Sequence, residues 1–179
     1  AHDSYSEQYF CGVLDPNAVS QGEDHSWPQG ITWEMPAGVD HVDVTVYDDE
    51  NTMLAAYIEF MQQTDPDLLT GWNSSSNDIG TGFDYPYIIN RAQRINEWSI
   101  NDLAYDNGGV FVTGRGDAVI AGREMFDMLQ AYKKTQVHEK RSYALGYIAQ
   151  EELGYGKEDI EGLDEGWLHH PVDFMRYNI

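Results

Sequence analysis

The chain has 179 residues, 41% of them hydrophobic, enough for one domain with a core of its own. Its 31 Asp and Glu against 10 Lys and Arg give a formal net charge of −21, and the single Cys11 excludes an internal disulfide framework. No apolar run is long enough to span a bilayer and no basic-then-apolar leader opens the chain, so a soluble cytoplasmic protein is expected.

In chain order, Ser4–Leu14 places Tyr5, Tyr9, Phe10 and Val13 around a turn and reads as strand. Residues 15–40 are rich in Gly, Pro, Asp and Ser and read as a surface loop, pinned by Trp27 and Trp33. His41–Tyr47 alternates Val42, Val44 and Val46 with polar neighbours, the pattern of a half-buried strand. Asp48–Asn51 reads as a turn, and Met53–Gln63 carries apolar residues at helical spacing. A short buried strand is expected at Leu68–Trp72, then a polar loop. A helix comes next, from Asp84 to about Trp98, with Pro86 tolerated in its first turn and Asp84 well placed as its N-cap. Ser99–Gly116 holds turn signals and a short strand, Val110–Val112. Ala118–Leu129 reads as a strand running into a short helical piece with Tyr132, Lys133 and Lys134. Ser142 is expected to cap a helix, Tyr143–Leu153, that Gly154 ends, and His170-Pro171 opens a last one. The β-β-α-β-α order suits an α/β sandwich.

The charge is lopsided. Residues 1–90 contain 16 acids and no Lys or Arg; residues 91–179 hold 15 acids and all 10 bases. A nucleic-acid enzyme ordinarily carries a basic footprint, so taken alone this composition argues against DNA binding. Molar intracellular salt is the competing explanation: screening lengths there fall to about 3 Å, and dense carboxylates keep a protein hydrated. With four lysines in the whole chain, a halophilic source is the expectation.

Two strings carry a resemblance. DPDLLTGWN, succeeded by FDYPYIINR, resembles the second exonuclease motif of family B DNA polymerases, in which the aspartate of the Phe-Asp pair is a metal ligand of the proofreading 3′–5′ exonuclease. The family has a much shorter spacer between the Asn and that pair; here nine residues, SSSNDIGTG, separate Asn73 from Phe83 and suit a flexible loop. MFDMLQAYKK and SYALGYIAQEELGYGK look like the segments between the second and third motifs, so the likeness covers most of the chain and is weakest at 15–40. The wording of the motifs is similar to haloarchaeal or haloviral members. The resemblance implies the ribonuclease-H-like exonuclease fold, a mixed sheet flanked by helices. Residues 1–179 would form one partial domain of it, without polymerase palm or fingers.

The resemblance also implies chemistry. Such exonucleases use two Mg²⁺ or Mn²⁺ ions about 4 Å apart, held by several carboxylates. The family draws these from an Asp-x-Glu on the opening strand, the Asp matched by Asp84, and a Tyr-x-x-x-Asp on a helix. Arg176-Tyr177-Asn178-Ile179 resembles the start of that last motif, with Tyr177 as the phenol that orients the attacking water; its Asp would fall beyond Ile179. AHDSYSEQYF resembles the segment just after the first motif, so the opening strand would precede Ala1. Of the family's carboxylates the sequence then holds one, and the isolated chain is expected to be inactive. Asn73 and Phe83 are the implied nucleic-acid contacts at the motif. Lys133, Lys134, Lys140 and Arg141 form either a solvated patch or phosphate contacts for the incoming single strand.

Other patterns are blander. The Asp48/Glu50 and Asp159/Glu161 pairs satisfy Asp-x-Glu by chance in so acidic a chain, His169-His170 lacks partners at ligand spacing, and Asp127 reads as a structural hydrogen-bonding residue. Expected partners are single-stranded DNA, the remainder of a polymerase, and a second chain or copy paired through an exposed sheet edge around Ser4–Leu14. The rival reading is a non-catalytic DNA-binding or structural remnant of a split polymerase.

Overall fold

The structure, a computed structural model, describes residues 1–15, 44–75, 82–95, 100–106 and 108–156. The expectations for Trp27, Trp33, Val42, Asp159, Glu161, the His170-Pro171 helix and Tyr177 lie outside those residues.

Strands β1 (His2–Asp3) and β2 (Gln8–Tyr9) pair antiparallel around a turn that the Asp3 carboxylate closes, accepting from Ser6 N–H at 2.8 Å. Strand β3 (Cys11–Leu14) then runs parallel to β4 (Val44–Tyr47), Cys11 opposite Val44. Helix α1 (Glu50–Thr64) begins earlier than its apolar periodicity predicts. The reason is Asp49, whose carboxylate accepts from Thr52 N–H at 2.8 Å and Thr52 Oγ1 at 2.6 Å and starts the helix where a turn was expected. Leu54, Tyr57, Ile58 and Met61 form its buried stripe, and the left-handed Asp65 with Pro66 after it ends the helix.

Strand β5 (Leu68–Gly71) pairs parallel with β8 (Glu124–Asp127), setting Gly71 opposite Asp127. Helix α2 (Asp84–Ile95) buries Pro86, Ile89 and Ala92 against the core. A 3₁₀ turn (Ile100–Leu103) leads to the antiparallel pair β6 (Val110–Val112) and β7 (Ala118–Ile120). Ala118–Leu129 is therefore not one strand. Gly122, at φ +80°, turns the chain between β7 and β8, and Arg123 plunges inward there. Its guanidinium donates to the carbonyls of Leu103 at 2.9 Å and Pro66 at 2.6 Å and pairs with Asp65.

Helix α3 (Met128–Thr135) is capped by Asp127, and α4 (Leu145–Leu153) ends at the left-handed Gly154 as expected. Its start departs from expectation: Ser142 Oγ accepts from Ala144 N–H at 3.2 Å, a local turn that delays the helix to Leu145. Ile89, Leu103 and Ile120 are the best-buried large side chains and join α2, the 3₁₀ turn and β7 in one core with α1 and β5. The result is a mixed α/β arrangement of parallel and antiparallel pairs. No helix among the described residues is long and apolar enough to cross a membrane.

Candidate functional site

The chain leaves β5 through a tight arc, Trp72–Ser75. Gly71 permits it: a Cβ there would meet Ser74 Cβ at 2.7 Å. Asn73 takes the left-handed conformation at φ +59°, which Asn tolerates better than most residues. The arc is gripped from below by Asp127, a carboxylate only 7% exposed. Its Oδ1 accepts from Asn73 N–H at 3.2 Å and its Oδ2 from Ser75 N–H at 3.1 Å, while Oδ1 also caps α3 through Leu129 N–H at 3.0 Å.

The arc in turn holds the start of α2. Asn73 C=O accepts from Phe83 N–H and Ser74 C=O from Tyr85 N–H, both at 2.9 Å, and Ser75 C=O accepts from Ala118 N–H of β7 at 2.9 Å. The two ends of the nine-residue spacer thus meet, and the residue between Phe83 and Tyr85 is Asp84. Asp84 opens α2 rather than capping it. The cap position is that of Phe83, whose carbonyl accepts from Tyr87 N–H at 2.9 Å.

Asp84 is exposed at a cleft of about 490 Å³, walled on one side by Cys11, Gly12 and Val13 of β3 and on the other by Thr70, Gly71 and Ser74. Tyr57 and Tyr85 share a hydrogen bond at its base. Burial pushes the Tyr57 phenol well above its ordinary range, and burial also raises Tyr85; the Asp84 carboxylate adds to both shifts. Among the described residues, no group of three or more His, Cys, Asp or Glu could hold a metal ion. The cleft's oxygen donors are of the kind hard divalent ions take, but Asp84 is the single carboxylate among the described residues that line it, so these residues do not assemble an ion site by themselves.

Phe83 is 64% exposed and stacks on Tyr87 at 5.7 Å between centroids, Tyr87 itself being 54% exposed. Tyr87 escaped sequence reasoning, although its i+4 spacing from Phe83 on a helix start is a signal for such a pair. The four clustered bases do not line the cleft. Lys133 sits over the Tyr143 ring at 5.0 Å, and Lys140 pairs with Glu151 and Glu152 at 3.2 Å each, which raises its pKa, chiefly through Glu151. Lys134 and Arg141 are exposed. Tyr132 packs against Trp72 and Tyr143, and Trp72 Nε1 donates to the Tyr143 carbonyl at 3.1 Å. Of the Asp-x-Glu decoys, Glu50 is engaged by Arg91, whose Nε donates to Oε1 at 2.6 Å.

Residues 32–148 match the family described as DNA polymerase family B, exonuclease domain. The chain is 32% identical over 137 residues to the DNA-directed DNA polymerase of Escherichia phage RB69, covering 72% of this chain and 14% of that protein. It is 27% identical over 154 residues to the DNA polymerase delta catalytic subunit of Oryza sativa subsp. japonica, covering 78% of this chain and 13% of that protein. The corresponding subunit of Mesocricetus auratus is 31% identical over 134 residues, 66% of this chain and 11% of the relative. The chain thus spans a small part of each of these relatives.

Proposed function

From the premise that the chain belongs to the exonuclease-domain family of family B DNA polymerases, we propose that it supplies part of a 3′–5′ proofreading exonuclease acting on single-stranded DNA ends. The observation that carries this reading is Asp84: its backbone is held on both sides by the arc, at the mouth of a cleft, despite the long spacer. Asp84 presents one carboxylate for Mg²⁺ or Mn²⁺. The stacked Phe83 and Tyr87 rings offer an apolar face to an unstacked base, and Asn73 fixes the arc beside them. Tyr177 is proposed to orient the attacking water, and Lys133, Lys134, Lys140 and Arg141 to meet the strand's phosphates farther out.

The remaining carboxylates would come from segments outside this sequence, in the rest of a polymerase. Among the described residues β3 and β5 each pair on one edge only and both border the cleft, so a further strand has backbone groups to join there. The acid excess supports a halophilic, haloarchaeal or haloviral source. The second reading is a non-catalytic DNA-binding or structural remnant of a split polymerase that needs a complementing chain.

One experiment separates the two readings. At molar KCl with Mg²⁺ or Mn²⁺, the 179 residues alone should release no nucleotide from a single-stranded 3′ end. Adding a polypeptide that carries the Asp-x-Glu strand and the terminal Asp should bind the chain in gel filtration and restore release, and Asp84→Ala should return it to background. Restored activity that survives Asp84→Ala would sink the assignment of the site, and binding without activity would favour the non-catalytic piece.

A further inference from the structure

We propose that Asp127 is a positioning residue for Asp84, acting through the Asn73–Ser75 arc. Its carboxylate has two oxygens and does two jobs. Oδ1 accepts from Leu129 N–H at 3.0 Å and Gln130 N–H at 3.4 Å, the ordinary work of a helix cap. A cap needs no more than that. Yet Oδ1 also accepts from Asn73 N–H at 3.2 Å, and Oδ2 reaches Ser75 N–H at 3.1 Å, contacts made more than fifty positions away in sequence. The arc so gripped uses its carbonyls on Phe83 N–H and Tyr85 N–H, the residues on either side of Asp84. Asp127 therefore fixes where Asp84 starts its helix, across two layers of hydrogen bonds and independently of the spacer's length. The parallel pairing that sets Gly71 opposite Asp127 puts the carboxylate under the arc.

The assignment of a role in hydrolysis rests on the exonuclease reading; the mechanical link does not. Asp127→Asn weakens the grip at one end and spares the cap. An amide has one acceptor oxygen, so it can keep the α3 cap and the Asn73 N–H through that oxygen but must turn an NH₂ toward Ser75 N–H, donor against donor. Hydrogen exchange of the 179-residue chain in molar KCl reads the result. In Asp127→Asn, the amides of Ser75 and Tyr85 should exchange at least about tenfold faster while α3 keeps its protection; Asp127→Ala should loosen the whole arc and α3 with it. In the unmodified chain the amides of Asn73, Ser75, Phe83 and Tyr85 should open as one group. Phe83 and Tyr85 staying protected after Asn73 and Ser75 have exchanged would overturn the link without any variant.

Unchanged exchange at the arc in Asp127→Asn would likewise reduce Asp127 to a cap. In the complemented exonuclease, Asp127→Asn should lower kcat with KM for the DNA end little changed. Normal kcat with a loosened arc would overturn its role in positioning Asp84 for hydrolysis. Failure of every complemented preparation to hydrolyse DNA would count against the exonuclease reading and leave the exchange result to decide the link.

Discussion

Tyr57 and Tyr85 bring two phenols together at the base of the cleft, and their ionisation is opposed by burial and by the neighbouring Asp84. A phenol whose folded pKa lies above its ordinary value near 10 stabilises the fold fully below that value and withdraws the contribution as pH rises toward the folded pKa. Thermal stability is therefore expected to hold up to about pH 10 and to fall beyond it, with tyrosinate absorbance of these two residues appearing only as the fold opens. Tyr57→Phe should cost about 1 kcal/mol at neutral pH, for the lost hydrogen bond, and should soften the alkaline fall. Free titration of every tyrosine near the ordinary value, with the fold intact, would contradict this account. At the same scale the sequence located the start of α2 to within one residue, reading as its cap the Asp84 that is its first residue. It was silent on Asp127 as a grip, because Asn73 and Ser75 are its partners only after β5 and β8 have paired.

Among the elements, α2 has the closest bearing on the site, because Asp84 is its first residue and Ile89, with no exposed surface, anchors its middle. Ile89→Ala should destabilise by about 2–5 kcal/mol in denaturant melts, the range for a buried large-to-small change. It should also loosen the helix start with it, whereas the exposed Tyr87→Ala should leave stability within about 0.5 kcal/mol. Equal costs for the two would mean that α2 is not anchored by its inner face. Periodicity made α1 and α2 legible to within a few residues, since each buries one regular stripe. Strand β5 lies where the short apolar run put it, but it is not the buried strand expected, because Leu69 alone is buried and Leu68 is exposed. Periodicity failed between β7 and β8 for a physical reason. AVIAGREMFD is apolar enough to pass for one strand, but Gly122 turns it, and a Cβ there would meet Tyr105 Cβ at 2.6 Å. Arg123, which a pattern places on a solvent face, is instead a buried plug for carbonyls of α1 and the 3₁₀ turn. Only tertiary packing decides that.

At the scale of the whole molecule, charge sets the conditions under which any of this geometry exists. The first 90 residues carry 16 acids and no Lys or Arg, so their countercharge must come from elsewhere in the chain or from the solvent. The fold brings some of it across: Glu50 borrows Arg91, and Asp65 borrows Arg123 at 2.9 Å. Runs such as Asp48-Asp49-Glu50 still crowd like charges at the start of α1. At about 0.1 M salt the screening length is about 10 Å, so such repulsions reach across the small domain; at about 1 M it is about 3 Å, and close pairs persist while the long-range repulsion is damped. Compaction should therefore depend on salt. The helical and sheet signal in circular dichroism is expected to be full in molar KCl and to weaken on dialysis to millimolar salt. The melting temperature should fall in step, because unfolding lets the acids move apart. Neutralising substitutions in the first half, such as Asp48→Asn with Glu59→Gln, should shift that dependence toward lower salt. A melting temperature unchanged from millimolar to molar KCl would show that self-repulsion does not govern this fold, and the halophilic reading of its composition would go with it.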